Sequence, residues 1–327
     1  MQHAACSPGD GLHRKTGNGK RAAGSVSSMP NFFELVELAP GVHAAVSDIT
    51  GGAVGNAAII DTGEKTLVID AFITAQAARE LRGEVTRLTG RSACLLVNTH
   101  WHSDHTRGNQ KFAGIPIVST ARTVELMIAD APAYLTAYEA ELDRHLAALR
   151  QKLESDDAAE RRLAQRRIFG VEQLKVAAPG FRLTLPDILF EERLVIEGAG
   201  RVELLTYGGG HTDSDVFAWL PEDRIVIAGD LCWNRIHPRT HDGHPGAWAD
   251  ILDRMAALRP QQIHPGHGRP GGPEMPEELA PYFRTVAGYV EAARAGADTA
   301  ALANPPGSEG WDGPERMRSG VAALATR

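Results

Sequence analysis

The sequence predicts an α/β fold made of two similar halves packed sheet to sheet with helices outside. Three observations lead there. Short apolar, β-branched runs alternate with helical patterns. The order strand, strand, strand, helix, strand occurs twice. In both copies the third strand ends near an aspartate, Asp70 or Asp230, and the last ends just before a histidine, His100 or His267. This is a repeat of organisation and not of residues, which is what two packed sheet layers need.

In the first half, residues 42–46, 54–60 and 66–69 read as strands. Residues 74–88 read as a helix, with Thr74 as N-cap and Gly90 as the stop. Residues 94–98 form a buried strand running straight towards His100, and 115–118 another. In the second half, 201–206, 216–220 and 224–228 read as strands, 247–258 as a helix and 262–264 as a short strand before His267. Between the halves, about 121–176 is a long polar helical insertion. Leu135, Tyr138, Leu142, Leu146, Leu149 and Leu153 recur there at spacings of three and four, which is one apolar helix face. A hairpin lying on the body, a lid over a site and a dimer contact all fit that face. The charged run 156–167 reads as a solvated surface.

One further helix is expected over 276–295, and the catalytic unit spans 29–300. The Gly- and Pro-rich tail 301–327 is expected to be loosely ordered. Residues 1–28 are rich in Gly, Ser, Ala and basic residues and lack an apolar core segment. They read as a disordered leader and not a secretory signal, with Met29 a candidate start.

The 327 residues are 43% hydrophobic and 23% charged, enough for a substantial core. A net charge of -7 argues against nucleic acid as the main partner, since phosphate binding needs clustered Lys and Arg. Three dispersed cysteines imply no disulfide framework and fit a reducing cytoplasm. No apolar run approaches the roughly 18 to 20 residues that cross a bilayer.

The chemistry concentrates in His100-Trp101-His102-Ser103-Asp104-His105. Imidazole and carboxylate are good ligands for zinc and similar divalent ions. In extended chain, residues i and i+2 point the same way, so His100 and His102 reach one ion together. If a helix starts directly after, Asp104 and His105 address a neighbouring position. Four such groups buried without a partner would be costly. His211 in a Gly-rich loop, Asp230 at a strand end and His267 in a tight turn are weak signals singly. They gain value from their order after the first motif.

Together, the His-x-His-x-Asp-His run at 100–105, His211, Asp230 and His267 resemble the metallo-β-lactamase superfamily, with order and strand context matching over about 34–270. The resemblance implies a four-layer αββα sandwich with two zinc ions per chain at one edge of the sheets. It implies that His100, His102 and His211 hold one ion, that Asp104, His105 and His267 hold the second, and that Asp230 bridges both. A bridging carboxylate is usually absent from the lactam-cleaving subclasses, so this chain resembles the glyoxalase II and lactonase branch more.

The implied reaction is attack of a metal-bridging hydroxide on the carbonyl of an ester, thioester, lactone or lactam, with Asp104 orienting the hydroxide. The alternative on the same scaffold is a mononuclear iron oxidoreductase resembling persulfide dioxygenases. The acidic charge argues against a nuclease, and the filled ligand set against a non-catalytic binding protein. The expected partner is a small-molecule substrate, with a homodimer as an open option.

The segment 231–246 follows Asp230 and reads either as a polar surface loop or as a pocket wall that selects the substrate. Trp233, Asn234 and His241 are its candidate substrate contacts, joined by Trp101 between two ligands and by Tyr207 as a hydrogen-bond donor to substrate. Cys232 reads as a buried small residue, with a ligand or redox role as the lesser option. His43 and His145 read as structural or exposed, and His264 as support for the His267 turn.

Overall fold

Alternation along the strands sets the layers. The computed structural model describes residues 32–48 and 50–327, and for 131–140 the helical path alone. The expected leader 1–28 and Met29 lie outside the described residues. Strands β1 (Phe33–Ala39), β2 (Val42–Ser47), β3 (Ala57–Asp61) and β4 (Thr66–Ile69) form an antiparallel meander. Strands β5 (Leu95–Val97), β6 (Ile117–Ser119) and β7 (Ile188–Leu189) continue the same sheet in parallel. The second sheet sets β8 (Arg193–Ile196), β9 (Val202–Thr206), β10 (Val216–Leu220) and β11 (Ile225–Trp233) antiparallel in turn. Strand β12 (Gln262–His267) lies parallel to β11 on its far side.

Residues at every second position meet between the sheets. Ala58, Ile60, Leu67 and Ile69 share one core with Leu204, Val216, Ile225 and Ile227. Their chain neighbours face the other way. Ile59, Val68 and Leu96 pack on Leu81 and Val85 of α1 (Ala75–Thr89), while Phe217 and Val226 pack with residues of α5 (Pro245–Ala257) and α6 (Glu274–Arg294). This gives the helix–sheet–sheet–helix order that the resemblance implied. Strand β11 is covered on both faces, so all nine of its residues are buried.

Local signals explain the element ends. The Thr74 hydroxyl accepts from Ala77 N–H at the start of α1, and Gly90 at φ 68° closes it. The strand expected over 54–60 begins only at Ala57, because Val54 at φ 71° and its neighbours turn as a loop. Strands β1, β7 and β8 were not foreseen.

The insertion forms α3 (Ala121–Gln151) and α4 (Ala158–Ala177), joined by a short 3-10 turn. Leu142, Leu146 and Leu149 pack on Val171, Leu174 and Ile73, so the predicted apolar face closes a hairpin against the body. Leu135 and Tyr138 of that face lie outside the described side chains.

The tail 301–327 corrects the expectation of loose order. Helix α7 (Pro314–Ala325) buries Met317, Val321 and Leu324 in the core beneath α6, with Trp311 beside them. Their burial against apolar neighbours supplies the order that the Gly and Pro content seemed to deny. Among the described residues, no helix is long and apolar enough to cross a membrane.

Candidate metal centre

After β5 the chain bends over Thr99, His100 and Trp101 and reaches His102, at φ -60° and ψ 146°, just before the short helix α2 (Ser103–Thr106). The start of α2 separates the pair His100 and His102 from the pair Asp104 and His105, although the bend at 99–101 replaces the extended run that the sequence suggested. After β9, the 208–215 loop presents His211. Its shape is set by Asp215, which accepts from Gly210 N–H (2.8 Å), Thr212 N–H (3.0 Å) and the Thr212 hydroxyl (2.9 Å). Burial nevertheless raises the Asp215 pKa to about 6. Asp230 lies on β11 and His267 ends β12.

The turn carrying His267 is held from the other half. Asn56 N–H donates to Gly266 O (2.8 Å), and its amide donates to Pro265 O (2.9 Å) and Gly268 O (2.8 Å). Gly266 has no room for a side chain, since a Cβ there would lie 1.9 Å from Asp230 Oδ1.

The side chains converge in two groups. His100, His102, His211 and Asp230 offer ligand atoms within 4.8 Å of one another, and Asp104, His105 and His267 form a second such group. Asp230 touches both. Its Oδ2 lies 3.2 Å from His211 Nε2, 3.3 Å from His267 Nε2 and 3.9 Å from His100 Nε2, and its Oδ1 lies 3.1 Å from His105 Nε2. Asp104 Oδ2 approaches His267 Nε2 (3.3 Å) and His105 Nε2 (3.6 Å).

Three of the rings have their second nitrogen engaged outside the cluster, which fixes the nitrogen turned inward. His105 Nδ1 lies 2.8 Å from Asp70 Oδ2. His100 Nδ1 lies 3.0 Å from the Thr99 hydroxyl, which donates to the same Asp70 oxygen (2.7 Å). His102 Nε2 lies 3.1 Å from Asp242 Oδ2, while its Nδ1 lies 2.8 Å from His211 Nε2.

Charge is balanced inside the cluster. Burial holds His100 well below the usual histidine range and lowers His211 to about 3. Burial also opposes charge on His105 and His267, yet the carboxylates of Asp230 and Asp104 outweigh it. His105 therefore stays well above its ordinary value and His267 rises to about 9. Asp104 and Asp230 are buried too, and the facing histidines still hold both below the usual carboxylate range.

This donor set fits divalent ions such as zinc. His100 Nε2, His105 Nε2 and Asp230 Oδ1 are buried without a hydrogen-bond partner among the described residues. Leaving such atoms unsatisfied costs roughly 1–3 kcal/mol each, and imidazole with carboxylate is the chemistry that a cation would satisfy.

A family model for the metallo-beta-lactamase superfamily matches residues 50–267, more than half of the chain. The chain belongs to the metallo-beta-lactamase superfamily. The metallo-beta-lactamase type 2 of Bacteroides fragilis is 30% identical over 103 residues, which span 29% of this chain and 41% of that protein. The match thus covers less than half of that relative's length.

Among solved superfamily structures, the metallo-beta-lactamase from Pontibacter korlensis has a TM-score of 0.56 at 17% identity, over 77% of this chain and 99% of that one. The one from Hirschia baltica has a TM-score of 0.53 at 18% identity, over 76% and 96%. At such identities the likeness shows the shared fold alone. The glyoxalase II or lactonase branch rests on Asp230 and on nothing in these matches.

The candidate substrate residues separate in this superfamily scaffold. Trp101 is half-buried beside His102, with ring centroids 4.5 Å apart, and His241 is half-buried next to Asp242. Three others do different work. Trp233 is buried and lies on the His267 ring at 3.9 Å. Asn234 spends its amide on Arg269 O (2.8 Å), bracing the turn after His267. Tyr207 packs on Phe217 beneath the Arg254 guanidinium, beside a separate cavity lined by Thr120 and Arg122.

Cys232 is fully buried, with its sulfur 3.9 Å from that of Met255, and burial pushes its thiol up, so it behaves as a packing residue. His264 donates from its ring to Ala57 O (2.9 Å) across the sheets. Thr99, Asp242, Asp215 and Asn56 went unread in the sequence. Asp70 was visible only as the aspartate ending the third strand.

Proposed function

We propose that this protein is a dinuclear zinc-dependent hydrolase acting on the carbonyl of a small ester, thioester, lactone or lactam. One observation carries the reading: a single buried carboxylate, Asp230, lies within contact distance of both ligand groups. His100, His102 and His211 would hold one ion and Asp104, His105 and His267 the other, with Asp230 shared. When bound, such a pair supplies Lewis acidity and an acidified water.

The chain's own residues do the rest. His102 and Asp104 keep 14% and 17% of their side chains exposed, whereas the other five are almost fully buried, so substrate approaches from their side. The Asp104 carboxylate stands at that opening as hydrogen-bond acceptor. There it orients an attacking water as the carbonyl is attacked. Trp101 walls the approach beside His102, and His241 stands on the loop next to it. Asp230 in place of a sulfur ligand favours esters and lactones over lactams.

Removal of the Asp104 carboxylate in Asp104→Ala should cost at least about a hundredfold in kcat on a chromogenic ester and lactam panel, with an unchanged circular dichroism spectrum. Wild-type turnover in that variant would overturn the assigned role.

A further inference from the structure

A cavity of about 1000 Å3 lies between the helical hairpin, the loops of the metal centre and the C-terminal segment. One face of α4 lines it through Leu163, Arg167, Gly170, Val171 and Leu174, at helical spacings of three and four. Leu142 and His145 face it from α3. The opposite wall includes Val54 and Ile236. These two are the lining residues that neighbour the site along the chain, and no candidate ligand lines the cavity itself. Val54 precedes Gly55, where a Cβ would lie 2.8 Å from the His105 ring and from Asp104 O. Ile236 is three residues beyond Trp233, which lies on His267.

The charges along this cavity are not equivalent. Arg166 pairs with Asp48 (3.4 Å), Arg144 approaches Glu141 (4.0 Å), and Arg316 lies within 3.5 Å of Asp312 O. Arg167 is half-buried and makes no hydrogen bond or ion pair among the described residues. A guanidinium held between apolar side chains with its donors unused is matched to a carboxylate. Four carboxylates also border the cavity: Asp48 and Glu141 face the arginines just named, and Asp312 and Glu315 come from the C-terminal segment. They disfavour an anion on their own side.

The geometry points to a substrate class: a carbonyl compound with an apolar stem and a terminal carboxylate, the stem lying along Leu142, Val171, Leu174 and Val54 and the carboxylate meeting Arg167. This rests on the hydrolase reading and deepens it, making the hairpin the selecting wall of the site.

The test compares two chromogenic aryl esters of equal chain length, one ending in a methyl group and one in a carboxylate, on the zinc-loaded protein. The ratio of kcat/KM for the carboxylate ester to that for the neutral ester should fall about tenfold in Arg167→Gln. Arg167→Lys, which keeps the charge, should retain most of it. An unchanged ratio in Arg167→Gln overturns the proposal. If the wild type turns over neither ester, the hydrolase reading fails separately. The cavity is then tested by calorimetry with the matching anilide, which keeps stem and carboxylate. A tenfold weaker affinity in Arg167→Gln supports the assignment, and equal affinity or no binding to the wild type overturns it.

Discussion

A single buried carboxylate, Asp70, orients one histidine in each ligand group: His105 directly and His100 through the Thr99 hydroxyl. Asp242 does the same for His102 alone. Partners of this kind fix the ring and raise its basicity, and their loss typically costs 10–100-fold in metal affinity. Asp70→Asn should therefore weaken both steps of a zinc titration against a chromogenic chelator by that factor. Asp242→Asn should weaken one step only. Equal losses in the two variants would contradict the assigned partners. The seven candidate ligands were legible in the sequence because all of them fall at strand ends or tight turns, next to glycines or in a dense His/Asp run. Asp70 and Asp242 were not, because their partners are 35 and 140 residues away and nothing in the local sequence encodes that distance.

Among the elements, the C-terminal segment does most that went unforeseen. Ile236 pairs with Asp312 as an isolated bridge, His237 N–H donates to Asp312 O (2.9 Å), and Asp312 N–H donates to Arg235 O (3.0 Å). Trp311 stacks on Tyr282 at 5.4 Å, and a Cβ on Gly320 would lie 1.9 Å from the Thr240 hydroxyl. This segment clamps the loop that carries Asp242. Met317, Val321 and Leu324 carry a helical spacing behind Pro314, but the Gly- and Pro-rich stretch before them obscured it. The hairpin α3–α4 was the opposite case, since its leucine face is long enough to dominate local composition. Trp311→Ala should cost about 3–5 kcal/mol of stability in denaturant unfolding. Faster hydrogen exchange at the His237 amide should accompany that loss. An unchanged exchange rate would separate the segment from the loop.

For the whole molecule, alternation of residue type carried the architecture, because both sheets are covered on both faces. Beside the apolar core shared by the two sheets, the polar contacts that join the halves were invisible in sequence: Asn56 to the 265–268 turn, Gln262 Nε2 to Leu38 O (3.1 Å), and His264 to Ala57 O. His264 is fully buried, and burial lowers its pKa to about 4, against 6.5 when free. The unfolded chain therefore binds a proton first. The stability from the neutral ring is fully present above about pH 6.5 and is lost as pH falls through about 4, by about 3 kcal/mol in total. Denaturant midpoints of the metal-free protein at pH 7 and pH 4.5 should show that loss in the wild type, and a smaller one in His264→Gln. Parallel losses in both proteins would contradict the sign.

The joining of the halves matters because each ligand group draws on both of them, and Asp230 touches the two groups at once. The metal-to-protein ratio of the purified, zinc-reconstituted protein, measured by elemental mass spectrometry, tests that arrangement most directly. The proposed dinuclear site predicts about two zinc per chain, falling in Asp230→Ala. A ratio of one ion per chain in the wild type, or a single iron taken up in preference to zinc, would contradict it.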